Sequence, residues 1–467
     1  MRFAIAIAAA ACLAGCATLP EVHPWVRPQA EGTTATLVGA RGTLPPERAQ
    51  RVLERLGKGS DVLARHVAIE EAVSGAPLTL GNAASLLVDG PSFYRALFQA
   101  IADARDHVNV EFYIIEDDEV GHKFAELLLQ KAAQGVAVNL MYDSVGCIDT
   151  APAYFKRLRD GGVRVVEYNP VNPLRARSPW RLNNRNHRKA VIVDGRIAFT
   201  GGINISDVYS SGSSPSSRRA ARASRDGVRA SGSRGPRSVG WRDTNVRIEG
   251  PGVAQLQRIF LDTWASQKGP ALPQKDWFPA LARAGDHPVR IIASGPGDSG
   301  PAIYVSVLSA IAYAQASIHI TMAYFVPDAQ TIEALKAAAA RGVDVKLLLP
   351  SYTDFWAVFH AGRAHYSELL TAGVKIYERQ EALLHAKTIV IDGVWSTVGS
   401  SNLDWRSFLH NQELNAVIMG WKFGQEMEAL FERDLARSVP IDRDAWERRP
   451  LSERTREWAA RLWEYWL

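Results

Sequence analysis

The segment NHRKAVIVDGRIAFTGGIN at residues 186–204 returns as LHAKTIVIDGVWSTVGSSN at 384–402. His187, Lys189, Asp194, Gly195, Gly201 and Asn204 recur as His385, Lys387, Asp392, Gly393, Gly399 and Asn402, all at one offset of 198 (385 − 187). The repeat extends upstream: AIADARDHVNVEFYII from Ala100 parallels AIAYAQASIHITMAYF from Ala310, and AAQGVAVNLMY from Ala132 parallels AARGVDVKLLLP from Ala339. A duplication of this length constrains the fold strongly, because each copy must bury the same faces in the same order. Both copies alternate helical and strand patterns, with Gly-Val pairs where helices give way to β-branched runs. The expected fold class is α/β: two α/β/α domains with mixed sheets, pseudo-twofold related, with the active site at their interface. The expected boundaries are 77–270 for the first domain, 271–440 for the second and 441–467 for a C-terminal helical tail.

Strand geometry gives the repeated pairs a meaning. Residues two apart on a strand share a face, so His187 projects with Lys189 and His385 with Lys387. Pseudo-twofold packing sets these pairs across one cleft. Two imidazoles and two ammonium groups in one small volume are costly unless an anion occupies it, and a phosphate diester meets that need. One imidazole can attack phosphorus while the other, protonated, donates to the departing oxygen. Lys189, Lys387 and the amides of Asn204 and Asn402, with Ser400, are expected to hold the nonbridging oxygens. Fixed positive charge then does the work of a metal, so no metal and no cofactor is expected. Gly201 and Gly202, against Gly399 and Ser400, are expected to let backbone approach the phosphate.

H-x-K-x-x-x-x-D followed by G-[GS]-x-N, present twice, resembles the signature of the phospholipase D superfamily. VEFYIIEDDEVG, MYDSVG, GWRDTNVRIEGPGV, MAYFVPD and GSSNLDWRSFLHNQELNAVI resemble bacterial cardiolipin synthases, most closely the C type. The resemblance spans roughly residues 85–435 and implies phospholipase D-like domains. It implies His187 as nucleophile and His385 as acid and then base, although the symmetry of the sequence leaves the reverse open. It also implies that Asp243 and Glu413 orient the histidines. Asp194 and Asp392 complete the motif and count with its catalytic residues, yet each precedes a glycine, which favours a turn. Glu111, Asp117 and Asp118 read as a solvated edge, and Tyr113, Tyr324, Phe325, Trp405 and Phe408 as candidates for the cleft mouth or the core.

The implied reaction is phosphatidyl transfer: cardiolipin is formed from phosphatidylglycerol plus phosphatidylethanolamine or a second phosphatidylglycerol. Hydrolysis by a phospholipase D or a nuclease, and a noncatalytic binding module, are the alternatives. A net charge of +5 agrees with an anionic partner without choosing between phospholipid and nucleic acid. The intact double motif favours phospholipid substrates at a membrane surface, with no nucleic acid expected and the oligomeric state open.

The opening MRFAIAIAAAACLAGCATLP reads as a signal peptide, residues 1–15, ending in a lipobox whose Cys16 is lipidated. A bacterial envelope location follows, facing the periplasm, and Ala17 after the cysteine favours the outer membrane. Residues 16–76 read as a tether with a short helical region, and 207–240, rich in Ser, Arg and Gly, as a flexible basic loop. The tail DAWERRPLSERTREWAARLWEYWL suits either an interfacial helix or a docked one.

Overall fold

The computed structural model describes residues 18–22, 36–39, 42–57, 62–74, 76–176, 181–210, 240–296 and 301–467. The expected signal peptide, Cys16 and positions 211–239 of the basic loop lie outside the described residues. In the first half, strands His107–Phe112, Ala137–Asp143 and Arg164–Tyr168 run parallel and neighbour one another in that order. On the other side of His107–Phe112 come Ala190–Val193, Ile197–Gly201, Asn245–Glu249 and Leu78–Leu87, each antiparallel to its neighbour. The second half repeats the plan: Ser317–Met322, Asp344–Pro350 and Lys375–Arg379 are parallel. Lys387–Ile391, Trp395–Gly399, Asn411–Met419 and His287–Ser294 then follow antiparallel. Leu78–Leu87 and His287–Ser294 pair with each other, so the half-sheets join at the centre of one mixed sheet.

Helix placement follows from buried faces. Phe93, Leu97 and Ile101 of helix Gly90–Asp103 and Phe124 and Leu128 of helix Glu119–Ala133 cover Val108, Val110 and Leu140 of the first half-sheet. Asp89 and Asp118 cap these helices by accepting from the backbone N–H groups of Ser92 and Gly121, at 2.8 Å each. The other face is closed by two helices, Val253–Ser266 and Trp421–Leu435, one from each half. Leu256 and Phe260 share a core there with Val289, Leu414, Phe423 and Met427, and this shared core fixes the two halves against each other.

Within residues 16–76 the short helical region expected around PPERAQRVLERLG is present as helix Pro46–Leu56, and a second helix, Val62–Ser74, follows it. Helices Pro46–Leu56 and Val62–Ser74 bury Leu53, Leu63 and Val67 with Leu308, Ile318 and Trp395 of the second half. The reason is visible in RAQRVLERL, which sets Ala49 and Leu53 on one helical face that needs cover. Among the described residues no helix is long and apolar enough to cross a membrane.

Candidate active site

Two short parallel ladders between the halves build the site. Strand Arg185–Asn186 pairs with Asn411 and Gln412, so His187 and Glu413 leave the ladder side by side. Strand Trp241–Arg242 pairs in the same way with Leu383–Leu384 and delivers Asp243 beside His385. The backbone N–H of His187 donates to the carbonyl of Gln412 at 3.0 Å, and that of His385 to the carbonyl of Arg242 at 2.8 Å. Each histidine therefore meets a carboxylate from the opposite half. His187 Nδ1 lies 2.9 and 3.1 Å from the Glu413 oxygens, and His385 Nδ1 lies 2.7 Å from Asp243 Oδ2. Engaging Nδ1 fixes both rings and leaves Nε2 for chemistry.

The lysines are buried beside the histidines. Lys189 Nζ donates to the His187 carbonyl at 2.6 Å, and Lys387 Nζ donates to the His385 carbonyl. Lys189 also sits 5.2 Å from the centre of the Tyr113 ring, and Lys387 sits 5.9 Å from that of Tyr324. The same tyrosines contact His187 and His385 with ring centres 4.9 and 6.1 Å apart. Burial pushes Lys189 down to about 7 and Lys387 down to about 8, against the pull of Glu413 and Asp243. Burial and then the lysine charges hold His187 well below the usual imidazole range, and His385 is lowered by burial and Lys387. Glu413 is raised to about 7 by burial, with the Lys189 ammonium opposing. The neutral imidazole suits a nucleophile, and an entering phosphate anion restores positive charge to its neighbours.

Similarity to known proteins agrees with this geometry. A family model described as "Cardiolipin synthase, PLD-like domain" matches residues 97–211 and 307–435. A cardiolipin synthase of Geobacillus sp. strain WCH70 is 36% identical over 396 residues, covering 84% of this chain and 73% of that protein. The chain belongs to the phospholipase D-like cardiolipin synthase family. Cardiolipin synthase 2 of Bacillus cereus is 35% identical over 382 residues, covering 80% of this chain and 69% of its own. The phosphatidylserine synthase of Haemophilus influenzae Rd KW20 shares the fold, with a TM-score of 0.60 at 12% identity over 85% of this chain and 99% of that one.

Within this cardiolipin synthase fold several sequence-based assignments change. Ser400 is not placed to hold phosphate: it is fully buried, its Oγ donates to Glu413 Oε2, and it accepts from the Leu414 N–H at 3.0 Å. Asp194 and Asp392 do not join the catalytic set. Asp194 accepts from the backbone N–H groups of Arg105, Asp106 and His107, and Asp392 from those of Gln315, Ala316 and Ser317. Their φ values of 52° and 54° close the motif hairpins, the conformation that Asp-Gly supports. Asp392 also lies 3.3 Å from His66, which ties the N-terminal helices to the second motif.

Gly201 and Gly202 allow close packing against the segment that carries Asp243 and Asn245. A Cβ on Gly201 would stand 2.3 Å from Asn245 Oδ1, and one on Gly202 would stand 2.2 Å from Asp243 Oδ1. Glu111 is not at a solvated edge but buried, accepting from Asn186 Nδ2 at 2.6 Å, whereas Asp117 pairs with exposed His122. Phe325 and Phe408 belong to the second-half core, and the Trp405 ring lies tilted against Tyr465 at 5.5 Å between centres. Asn204 is near the site with Oδ1 accepting from the Ile114 N–H at 3.1 Å, and Asn402 keeps a buried Oδ1 without a hydrogen-bond partner.

Sequence reading missed Tyr209 and Trp241. The Tyr209 hydroxyl lies 3.3 Å from His385 Nδ1, and the Trp241 ring centre lies 5.0 Å from that of His385. Trp241 stands two residues before Asp243, the only sequence signal for either. It also missed Asp354, which accepts from the Tyr324 hydroxyl at 2.8 Å.

The lowered lysines carry a prediction for pH. A phosphodiester anion binds the charged ammonium, so kcat/KM should fall as pH rises through about 7 to 8, where Lys189 and Lys387 lose their protons. Bound phosphate raises both lysines, so the alkaline limb of the kcat profile should lie higher than that of kcat/KM. Initial-rate profiles of the two constants check this; coincident limbs would contradict it.

Proposed function

We propose that the chain is a phosphatidyltransferase that forms cardiolipin through a covalent phosphohistidine. His187 Nε2 attacks the phosphorus of a donor phospholipid, the bond from phosphorus to the headgroup oxygen breaks, and His385 gives that oxygen its proton. The product alcohol is glycerol when phosphatidylglycerol is the donor and ethanolamine when phosphatidylethanolamine is. His385, now neutral, takes the proton from a headgroup hydroxyl of a second phosphatidylglycerol. That oxygen attacks phosphorus and His187 departs, so each half-reaction makes and breaks one P–O or P–N bond. Lys189, Lys387, Asn204 and Asn402 hold the nonbridging oxygens as their charge grows. The observation that carries the reading is the pair of imidazoles, each oriented through Nδ1 by a carboxylate of the other half.

In this reading residues 77–270 and 271–440 are the two catalytic domains, with 441–467 appended. Cys16 carries lipid, and the enzyme works at the periplasmic side of the bacterial envelope, at the outer membrane. Support comes from LAGC and the following Ala17. The test is lipid analysis after incubation of the protein with phosphatidylglycerol vesicles, with and without phosphatidylethanolamine. Cardiolipin should appear, and a yield that depends on phosphatidylethanolamine identifies it as donor. Phosphatidic acid in place of cardiolipin would make the protein a hydrolase.

A further inference from the structure

Among the described residues, exposed large apolar side chains gather in the C-terminal segment, which holds Leu451, Trp458, Leu462, Trp463 and Trp466. Helix Leu451–Arg461 packs through Ala460 against Val358 and Ala361 of helix Trp356–Arg363. Trp458 and Leu462, one helical turn apart, point away from that contact and are 66% exposed, with Trp463 at 63%. Trp466, Phe355 and Trp356 are exposed beside them. This group is tied to the site by short steps. Leu467 packs on the cluster that includes Tyr324, whose ring contacts His385. The Tyr465 ring lies tilted against Trp405 and edge-on to His410, and the His410 carbonyl accepts from the N–H of Arg185, two residues before His187.

Exposed apolar side chains also lie close in sequence to residues that reach the site. Leu174 is 93% exposed, and exposed Leu182 adjoins Asn183, to which Arg406 of the second half donates at 3.0 Å. Ile148 is exposed one residue after Cys147, whose Sγ donates to the carbonyl of Tyr113, the neighbour of His187. The N-terminal segment reaches the same end of the sheet. Val22 is buried with its N–H on Gln330 Oε1 at 3.0 Å, just after strand Phe325–Val326, which follows Tyr324.

We propose that this rim is the membrane-docking face: Trp458, Leu462, Trp463 and Trp466, with Phe355, enter the interfacial layer of a phospholipid bilayer and set the cleft against it. The purpose rests on the phospholipid-substrate reading above; the docking itself does not. Tryptophan suits this layer because its ring is apolar and its N–H finds a partner among headgroups. Residues 441–467 hold six arginines and six acidic residues, a net charge of zero (6 − 6), so insertion rather than charge drives the contact. Binding through this rim should therefore resist salt, unlike binding through a basic patch.

The test is tryptophan quenching by vesicles whose acyl chains carry bromine, using the full-length protein and a variant with Trp458→Ser, Leu462→Ser and Trp463→Ser. The parent emission should be quenched equally at low and high salt, and the variant should lose most of that quenching. Its KM for lipid in vesicles should rise about tenfold with kcat and Tm unchanged. Phe355→Ser, on a separate element, should move KM the same way. No quenching of the parent, or equal quenching of the variant, overturns the proposal. So does a parent dimer that the variant loses, since a second copy would then cover the rim. Quenching without cardiolipin formation would leave the docking face standing and remove only the substrate assignment.

Discussion

His187→Ala should abolish cardiolipin formation, with kcat lowered by about 10⁴-fold or more, because the proposed phosphoryl intermediate forms on its Nε2. His385→Ala should be nearly as damaging with phospholipids, since the departing alcohol oxygen then leaves without a proton. The two variants part company on a nitrophenyl phosphodiester, whose leaving group needs no acid. There His385→Ala should release a burst of nitrophenol and accumulate a phosphorylated protein, while His187→Ala should do neither. Mass spectrometry of the trapped protein should find the adduct on His187. An adduct on His385 would exchange the two roles, which the near-symmetry of the site permits: both rings are buried, both hold a carboxylate at Nδ1, and both lie against a tyrosine.

Glu413→Gln should lower kcat by about 10³-fold or more through a histidine 226 residues away in the chain. The substitution keeps the shape but offers His187 an amide, so the imidazole loses both its fixed tautomer and the charge that stabilises the imidazolium. The pH titration of His187 should shift down while that of His385, held by Asp243, stays. NMR titration of the two imidazoles reads this directly, and a shift at His385 alone would refute the crossed arrangement. Breaking a buried charge pair commonly costs about 3–5 kcal/mol. Here the loss of stability should fall below that range, because burial pushes Lys189 down to about 7 and it can shed its proton instead of remaining an unpaired charge. Asp243→Asn should mirror the result at His385. Its carboxylate has fewer supports, accepting from the Thr244 N–H at 2.7 Å, whereas Glu413 also accepts from Asn411 and Ser400.

Much of this was legible in the residues. The duplication announced two halves of one plan, and the mixed sheet follows it strand for strand, down to the central pairing of Leu78–Leu87 with His287–Ser294. The pairing of histidine with lysine on one face needed only the period of a strand. The N-terminal region was partly legible: a helix over PPERAQRVLERLG was expected and is present, whereas the second helix, Val62–Ser74, and the surface that both cover were not. Only the second-half surface explains why Leu53, Leu63 and Val67 are buried.

Sequence alone determined the α/β class, the internal symmetry and the histidines, lysines and carboxylates from which a phosphoryl-transfer site could be made, because these depend on local periodicity and residue chemistry. Tertiary structure decided who serves whom. Glu413 reaches His187, and Asp243 reaches His385, only because short parallel ladders join the halves. Ser400 turns to Glu413 because that carboxylate is buried beneath it, and Asp194 and Asp392 turn to backbone N–H groups of a neighbouring strand start. A side chain's partner across the chain is set by sheet register and core packing, and no local pattern records either.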